Sequence, residues 1–163
     1  MEKTDLNHLE HAIEISSRSR AEGNHPFGAI LVIDDQMVLE ARNSVATSGD
    51  ATGHAETNLV RLASVRFSKS ELARASLYSS CEPCAMCAGA IYWAGIGRLV
   101  YALSEDRLYS ITGSSPENPT MRLPCREVLT RGQREIKVLG PALEDVAAKV
   151  HVGFWIPVTP ESR

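Results

Sequence analysis

The sequence predicts an α/β fold in three α/β/α layers, a mixed five-stranded sheet with helices on both faces. Three observations predict it. Apolar runs of strand length alternate with segments of helical spacing along the chain. The nearly unbroken apolar run at 27–33 is followed by a turn and a second strand, as in an antiparallel hairpin. After residue 54 the order becomes helix, strand, helix, strand, which calls for crossovers between parallel strands. The 163 residues, 44% hydrophobic and 23% charged, fit one domain spanning 1–163 and argue against a disordered or fibrous chain.

The elements can be justified in order. Residues 4–21 open on possible caps at Thr4 and Asp5 and place Leu6, Leu9 and Ile13 on one stripe, which predicts an amphipathic helix ended by Gly23. The run at 27–33, a turn at Asp34 and Asp35, and 37–42 form the hairpin. A loop rich in Ser, Thr, Gly and Asp follows. Residues 54–65 resume helical spacing through Leu59, Leu62 and Ala63, and 69–74 return the chain to the sheet. A strand at 75–80, a helix of small residues at 84–94 and a buried strand at 98–103 come next. Segment 104–124, with Gly113, Ser114, Ser115, Pro116, Asn118, Pro119 and Pro124, reads as a long loop of the kind that forms lids. A strand at 135–139 and a helix at 143–152 complete the pattern.

Charge and cysteine usage narrow the function classes. A net charge of -3 gives no general attraction to phosphate backbones and no basic run is present, so nucleic acid is not expected as a partner. Residues 1–10 carry Glu2, Asp5 and Glu10 without an apolar segment, and no stretch reaches the roughly 18 apolar residues of a membrane span. A cytoplasmic protein is expected. Cys81, Cys84 and Cys87 crowd into seven residues, a spacing that suits metal ligation better than disulfides.

The chemistry concentrates in His54-Ala55-Glu56 and Pro83-Cys84-Ala85-Met86-Cys87. Pro83 sets up a helix start, and Cys84 and Cys87, three apart, share the face of its first turn. His54 opens another helix. These three residues supply one donor fewer than a closed tetrahedron, which is the pattern of a catalytic zinc site with room for water. Glu56 would lie within reach of that water. Either motif alone is weak, since Cys-x-x-Cys also occurs in redox proteins and His-x-Glu is common by chance; together, each at a helix start, they argue for zinc. Cys81 could add a third thiolate and close the site as a structural one, but its place at a strand end points it elsewhere.

The two motifs resemble the signature of the cytidine deaminase-like zinc hydrolases, a likeness carried by residues 26–101. Pro26-Phe27-Gly28-Ala29, Asn43, Cys81-Glu82-Pro83-Cys84 and Ile91-Tyr92-Trp93-Ala94 resemble bacterial guanine deaminases most closely, whereas Asp50-Ala51-Thr52-Gly53 departs from their pattern. The resemblance implies one Zn2+ per chain on His54, Cys84 and Cys87, and Glu56 as the catalytic proton carrier. It implies hydrolysis of an exocyclic amine, with guanine to xanthine favoured. Cytosine, isoguanine, a triazine or a pterin are the competing small molecules, a tRNA adenosine the competing macromolecular substrate, and a non-catalytic zinc module the third reading. Asn43 and the backbone N–H of Ala55 would bind the base, and Phe27 and Trp93 could wall it in. Asp106 and Glu117 could close over the site, and Phe154 and Trp155 could help cover it. A homodimer is implied too, while His8, His11, His25 and His151 read as surface or local polar contacts.

Overall fold

The computed structural model describes residues 1–113 and 115–155. Helix α1 (Lys3–Ala21) precedes the hairpin of β1 (Gly28–Ile33) and β2 (Gln36–Arg42). Then come α2 (Val45–Ser48), α3 (Ala55–Arg66), α4 (Lys69–Arg74), β3 (Ser76–Cys81), α5 (Ala85–Ala94) and β4 (Arg98–Leu103). The chain continues through α6 (Glu105–Thr112), α7 (Cys125–Leu129), β5 (Lys137–Leu139) and α8 (Glu144–His151). The strand order is β2-β1-β3-β4-β5, with β1 antiparallel to β2 and β3, and β4 parallel to β3 and β5. This is the mixed five-stranded sheet expected from the sequence. Asp34 and Asp35 both take positive φ, 50° and 60°, as a two-residue hairpin turn requires.

The period of two along each central strand sorts the core into two layers. Ala29 and Leu31 of β1, Leu77 of β3 and Leu99 of β4 pack with Ala55, Leu59, Ala63 and Ile91 of α3 and α5. Their neighbours Ile30, Val32, Tyr78 and Val100 pack with Leu9, Ala12 and Ile13 of α1 and with Ala147 of α8. Helices therefore cover both faces. The approach of α1 is so close that a Cβ on Gly28 would sit 2.6 Å from the Ala12 carbonyl oxygen, which only glycine avoids.

One buried charge pair ties α1 to the sheet. Asp5, 3% exposed, accepts hydrogen bonds from Tyr78 Oη at 2.8 Å, Arg98 at 2.9 Å and the backbone N–H of Glu2 at 2.8 Å. Burial alone would raise the carboxyl pKa, but the bonds from Arg98, Glu2 and Tyr78 outweigh it and hold it well below the carboxylate range. A depressed folded-state pKa contributes stability above the unfolded value, about 3.9, that is lost as pH falls through the folded value. Asp5→Asn is therefore expected to cost about 3 kcal/mol at pH 7, the lower end for a broken buried pair. The gap from the unmutated protein should narrow below about pH 4. Urea unfolding at pH 7 and pH 3 checks it; equal loss at both values would contradict the account.

Three expectations need correction. Segment 104–124 is not all loop, because α6 occupies its first half: Ser104 caps it, accepting from Arg107 N–H, and Glu105 and Asp106 fill its first turn. Ser114 lies outside the described residues. Residues 69–74 form a helix, begun by the capping box of Ser68 and Glu71, before the chain enters β3. The last strand is Lys137–Leu139, shorter than 135–139.

Candidate active site

Both motif segments meet at helix starts. His54 is the N-cap of α3, Cys84 is the N-cap of α5, and Cys87 lies in the first turn of α5. Helices α3 and α5 pack side by side on the sheet, bringing the two starts together. Cys84 Sγ and Cys87 Sγ each lie 3.6 Å from His54 Nδ1, and the three atoms fall within 4.8 Å of one another. Zinc bonds of about 2.3 Å to sulfur and about 2.0–2.1 Å to nitrogen, at a tetrahedral angle, place S and N about 3.5–3.6 Å apart. The residues fit a zinc ion.

The surroundings favour that use. The N–H groups at the start of α5 stabilise negative sulfur, and the Cys84 pKa is pushed down by hydrogen bonding from Cys87 and then from His54. Cys87 shares the proton of that pair and is held up by it and by burial, while Thr57 Oγ1 lies 3.2 Å from its sulfur. Cys81 lines the same cavity as His54 and Cys84 but lies outside the three-residue cluster; it is buried, and burial pushes its thiol well up.

Glu56, the second residue of α3, is 5% exposed and, with His54 and Cys84, borders this cavity of about 350 Å³. Its Oε1 accepts a hydrogen bond from Ser79 Oγ at 2.6 Å. Burial raises its pKa, which suits a group that must take up and release a proton.

The other expected residues divide. Phe27 and Glu117 line the cavity, and Glu117 Oε2 lies 3.4 Å from His25 Nε2, another lining residue. Asn43 is 1% exposed and is not among the residues lining the cavity; its Oδ1 accepts from Val45 N–H at 3.0 Å, while its Nδ2 is buried without a partner among the described residues. Ala55 is fully buried as the first residue of α3, where its N–H has no acceptor within the helix. Trp155 packs 5.3 Å from the His25 ring and 6.1 Å from Phe27, and Phe154 lies 6.0 Å from His25, so both back the cavity wall.

Trp93 does not line the cavity, contrary to expectation: it is 86% exposed. Six residues after Cys87 along α5 is a rotation of about 240°, which turns its side chain away from the metal ligands. Asp106 is also displaced, exposed on α6 and paired with Arg122 at 3.5 Å. Its neighbour Glu105 lines the cavity instead, with a pKa pushed up to about 7 by burial and by Cys84. Glu105 is hidden in the sequence because the glycines and prolines of 104–124 predict a loop, although Ser104 followed by two acids is a helix-start signal.

His25 departs from the expectation of a surface or local contact, whereas His151 makes a local polar contact, although a buried one. His25 is 9% exposed and lines the cavity, and burial lowers its pKa. His151 is 1% exposed, accepts from Trp155 Nε1 at 3.2 Å, and burial pushes its pKa down to about 4. Glu82, which also borders the cavity, accepts from the backbone N–H of Glu105 at 3.1 Å and of Cys125 at 3.0 Å. It thereby fixes the starts of α6 and α7, a role no local pattern announces.

A structural zinc module closes its tetrahedron with a fourth protein ligand, and among the described residues no fourth donor joins this set. Glu56 and a cavity border the donors instead, the arrangement of a metal-dependent hydrolase. Residues 2–103 match the family model of the cytidine and deoxycytidylate deaminase zinc-binding region, and the chain belongs to that family of zinc-dependent deaminases. It is 40% identical over 155 residues to a "probable cytosine deaminase" of Schizosaccharomyces pombe, covering 95% of this chain and 94% of that protein. A guanine deaminase of Bacillus subtilis is 47% identical over 77 residues, 47% of this chain and 49% of its own length. The fold is also that of the guanine deaminase from Nitrosomonas europaea, with a TM-score of 0.72, 24% identity, and coverage of 88% of this chain and 80% of that one.

Proposed function

We propose that this enzyme hydrolyses the exocyclic amine of a free, uncharged nucleobase, cytosine first, giving uracil and ammonia. The observation that carries the reading is the cavity itself: His54, Cys84 and Glu56 open into it, Glu82, Glu105 and Glu117 line its walls, and among the described residues no Lys or Arg does. Such walls suit a donor-rich neutral ring and repel phosphate, which disfavours nucleotides and a tRNA substrate. The unpartnered Nδ2 of Asn43 supports a ligand with a carbonyl or ring nitrogen to receive it.

The choice of base rests on likeness. The sequence motifs favour guanine, but a match over 77 residues cannot reach from Phe27 to Trp155, both of which border or back the cavity. The likeness to the S. pombe protein runs along 95% of the chain and supports cytosine above guanine. Guanine is the second reading, favoured by the Bacillus likeness around the core.

His54, Cys84 and Cys87 hold zinc in this reading, and the bound ion supplies the Lewis acidity that makes water nucleophilic at neutral pH. Glu56 would accept the water proton and deliver it to a ring nitrogen, then take the proton of the newly added hydroxyl as the carbonyl forms and pass it to the amine, which leaves as ammonia. Asn43 and the Ala55 N–H orient the ring, and Phe27, backed by His151 and Trp155, provides an apolar wall. A homodimer is supported by the exposed apolar Trp93 on α5 and Leu62 and Val65 on α3.

Zinc-loaded protein should release ammonia from cytosine faster than from guanine, and from neither CMP nor GMP, at a solution mass twice 17.8 kDa. Preference for guanine would select the second reading; turnover of a nucleotide or of tRNA would reject the first, and a monomeric mass the dimer.

A further inference from the structure

Among the described residues, Ser79 is the only side chain that hydrogen-bonds Glu56. It belongs to β3, where the alternation of side chains sends Leu77 and Ser79 toward α3 and α5. Leu77 fills its position with an apolar side chain, as the layer requires. Ser79, 0% exposed, places a hydroxyl in the same layer, and a buried hydroxyl is costly unless it is bonded. Its partner is Glu56 Oε1 at 2.6 Å, within the short range of a hydroxyl donating to a carboxylate.

That bond commits one carboxylate oxygen and fixes the side chain's torsions, leaving Oε2 without a side-chain partner. We propose that Ser79 is a positioning residue: by holding Oε1 it makes Oε2 the single atom of Glu56 that exchanges protons in the cavity. The inference rests on Glu56 being the proton carrier. It explains a polar residue in an apolar layer, and it assigns the two carboxylate oxygens separate tasks.

The test is steady-state kinetics on the base that the protein turns over, with zinc content measured on each variant. Ser79→Ala is expected to lower kcat by about 10- to 100-fold, the effect of a lost hydrogen bond to a charged group, with KM changed less than about 3-fold and zinc unaltered. Ser79→Thr, which keeps the hydroxyl, should recover most of kcat. Ser79→Cys, similar in size but a weak donor, should not, and it decides the matter if the alanine variant fails to fold. Full kcat in zinc-replete Ser79→Ala, or a loss that appears in KM alone, overturns the proposal and leaves the deaminase reading intact. Absence of ammonia release from any base by the unmutated protein overturns both.

Discussion

Glu56→Gln is expected to reduce kcat by about 100- to 10,000-fold, the range attributable to a positioned general acid and base. Glutamine keeps the shape of the side chain, and its amide oxygen can still accept from Ser79 Oγ, which bonds Oε1 at 2.6 Å. What it loses is the ability to bind and release a proton near neutral pH. Zinc content should not change, because Glu56 lies outside the cluster of His54, Cys84 and Cys87. Thermal stability should be equal or slightly higher, since at 5% exposure a neutral amide is less costly to bury than a carboxylate. Steady-state kinetics on zinc-replete protein decide it. Undiminished turnover would mean that another group moves the proton.

The parts of this molecule legible in its sequence are those fixed by local periodicity. The strand of Gly28–Ile33 is buried at every position and reads as an unbroken apolar run, and Asp34-Asp35 marks its turn because few other pairs tolerate positive φ. The helix starts at His54 and Cys84 were legible because ligand spacing, Pro83 and the following periodicity agree. Helix α6 was obscured: Gly113, Pro116 and Pro119, just beyond it, dominate the composition of the segment, whereas its own signal is confined to Ser104, Glu105 and Asp106.

The metal ligands and the carboxylate were found through motif, and a motif carries no information about what lies across the sheet. Ser79 touches Glu56 over 23 positions of sequence, Glu82 meets Cys125 over 43, and Trp155 reaches His25 from the far end of the chain. Such contacts depend on strand order, which the sequence does not print. Trp93 illustrates the converse: the resemblance suggests a wall for the base, yet the helical rotation from Cys87 along α5 puts it outside.

Removing zinc is expected to abolish turnover altogether, a larger effect than any single proton carrier. Dialysis against a chelator should take ammonia release to background, and stoichiometric zinc should restore it. The ion should also stabilise the fold, since it bridges the starts of α3 and α5 through His54, Cys84 and Cys87. At free zinc 100-fold above Kd the contribution is about 2.7 kcal/mol, or about 5–11 °C in Tm at about 2–4 °C per kcal/mol for a chain of this size. Cys87→Ala should lose activity, zinc content and the zinc-dependent rise in Tm together, because its sulfur is 3.6 Å from His54 Nδ1. Cys81→Ala is the matched control. Its thiol is buried three residues before Cys84 and lies outside the cluster, so the variant should keep its zinc and the Tm response. Loss of zinc from Cys81→Ala would instead mean a closed site with three thiolates, and the open position on which the chemistry depends would not exist.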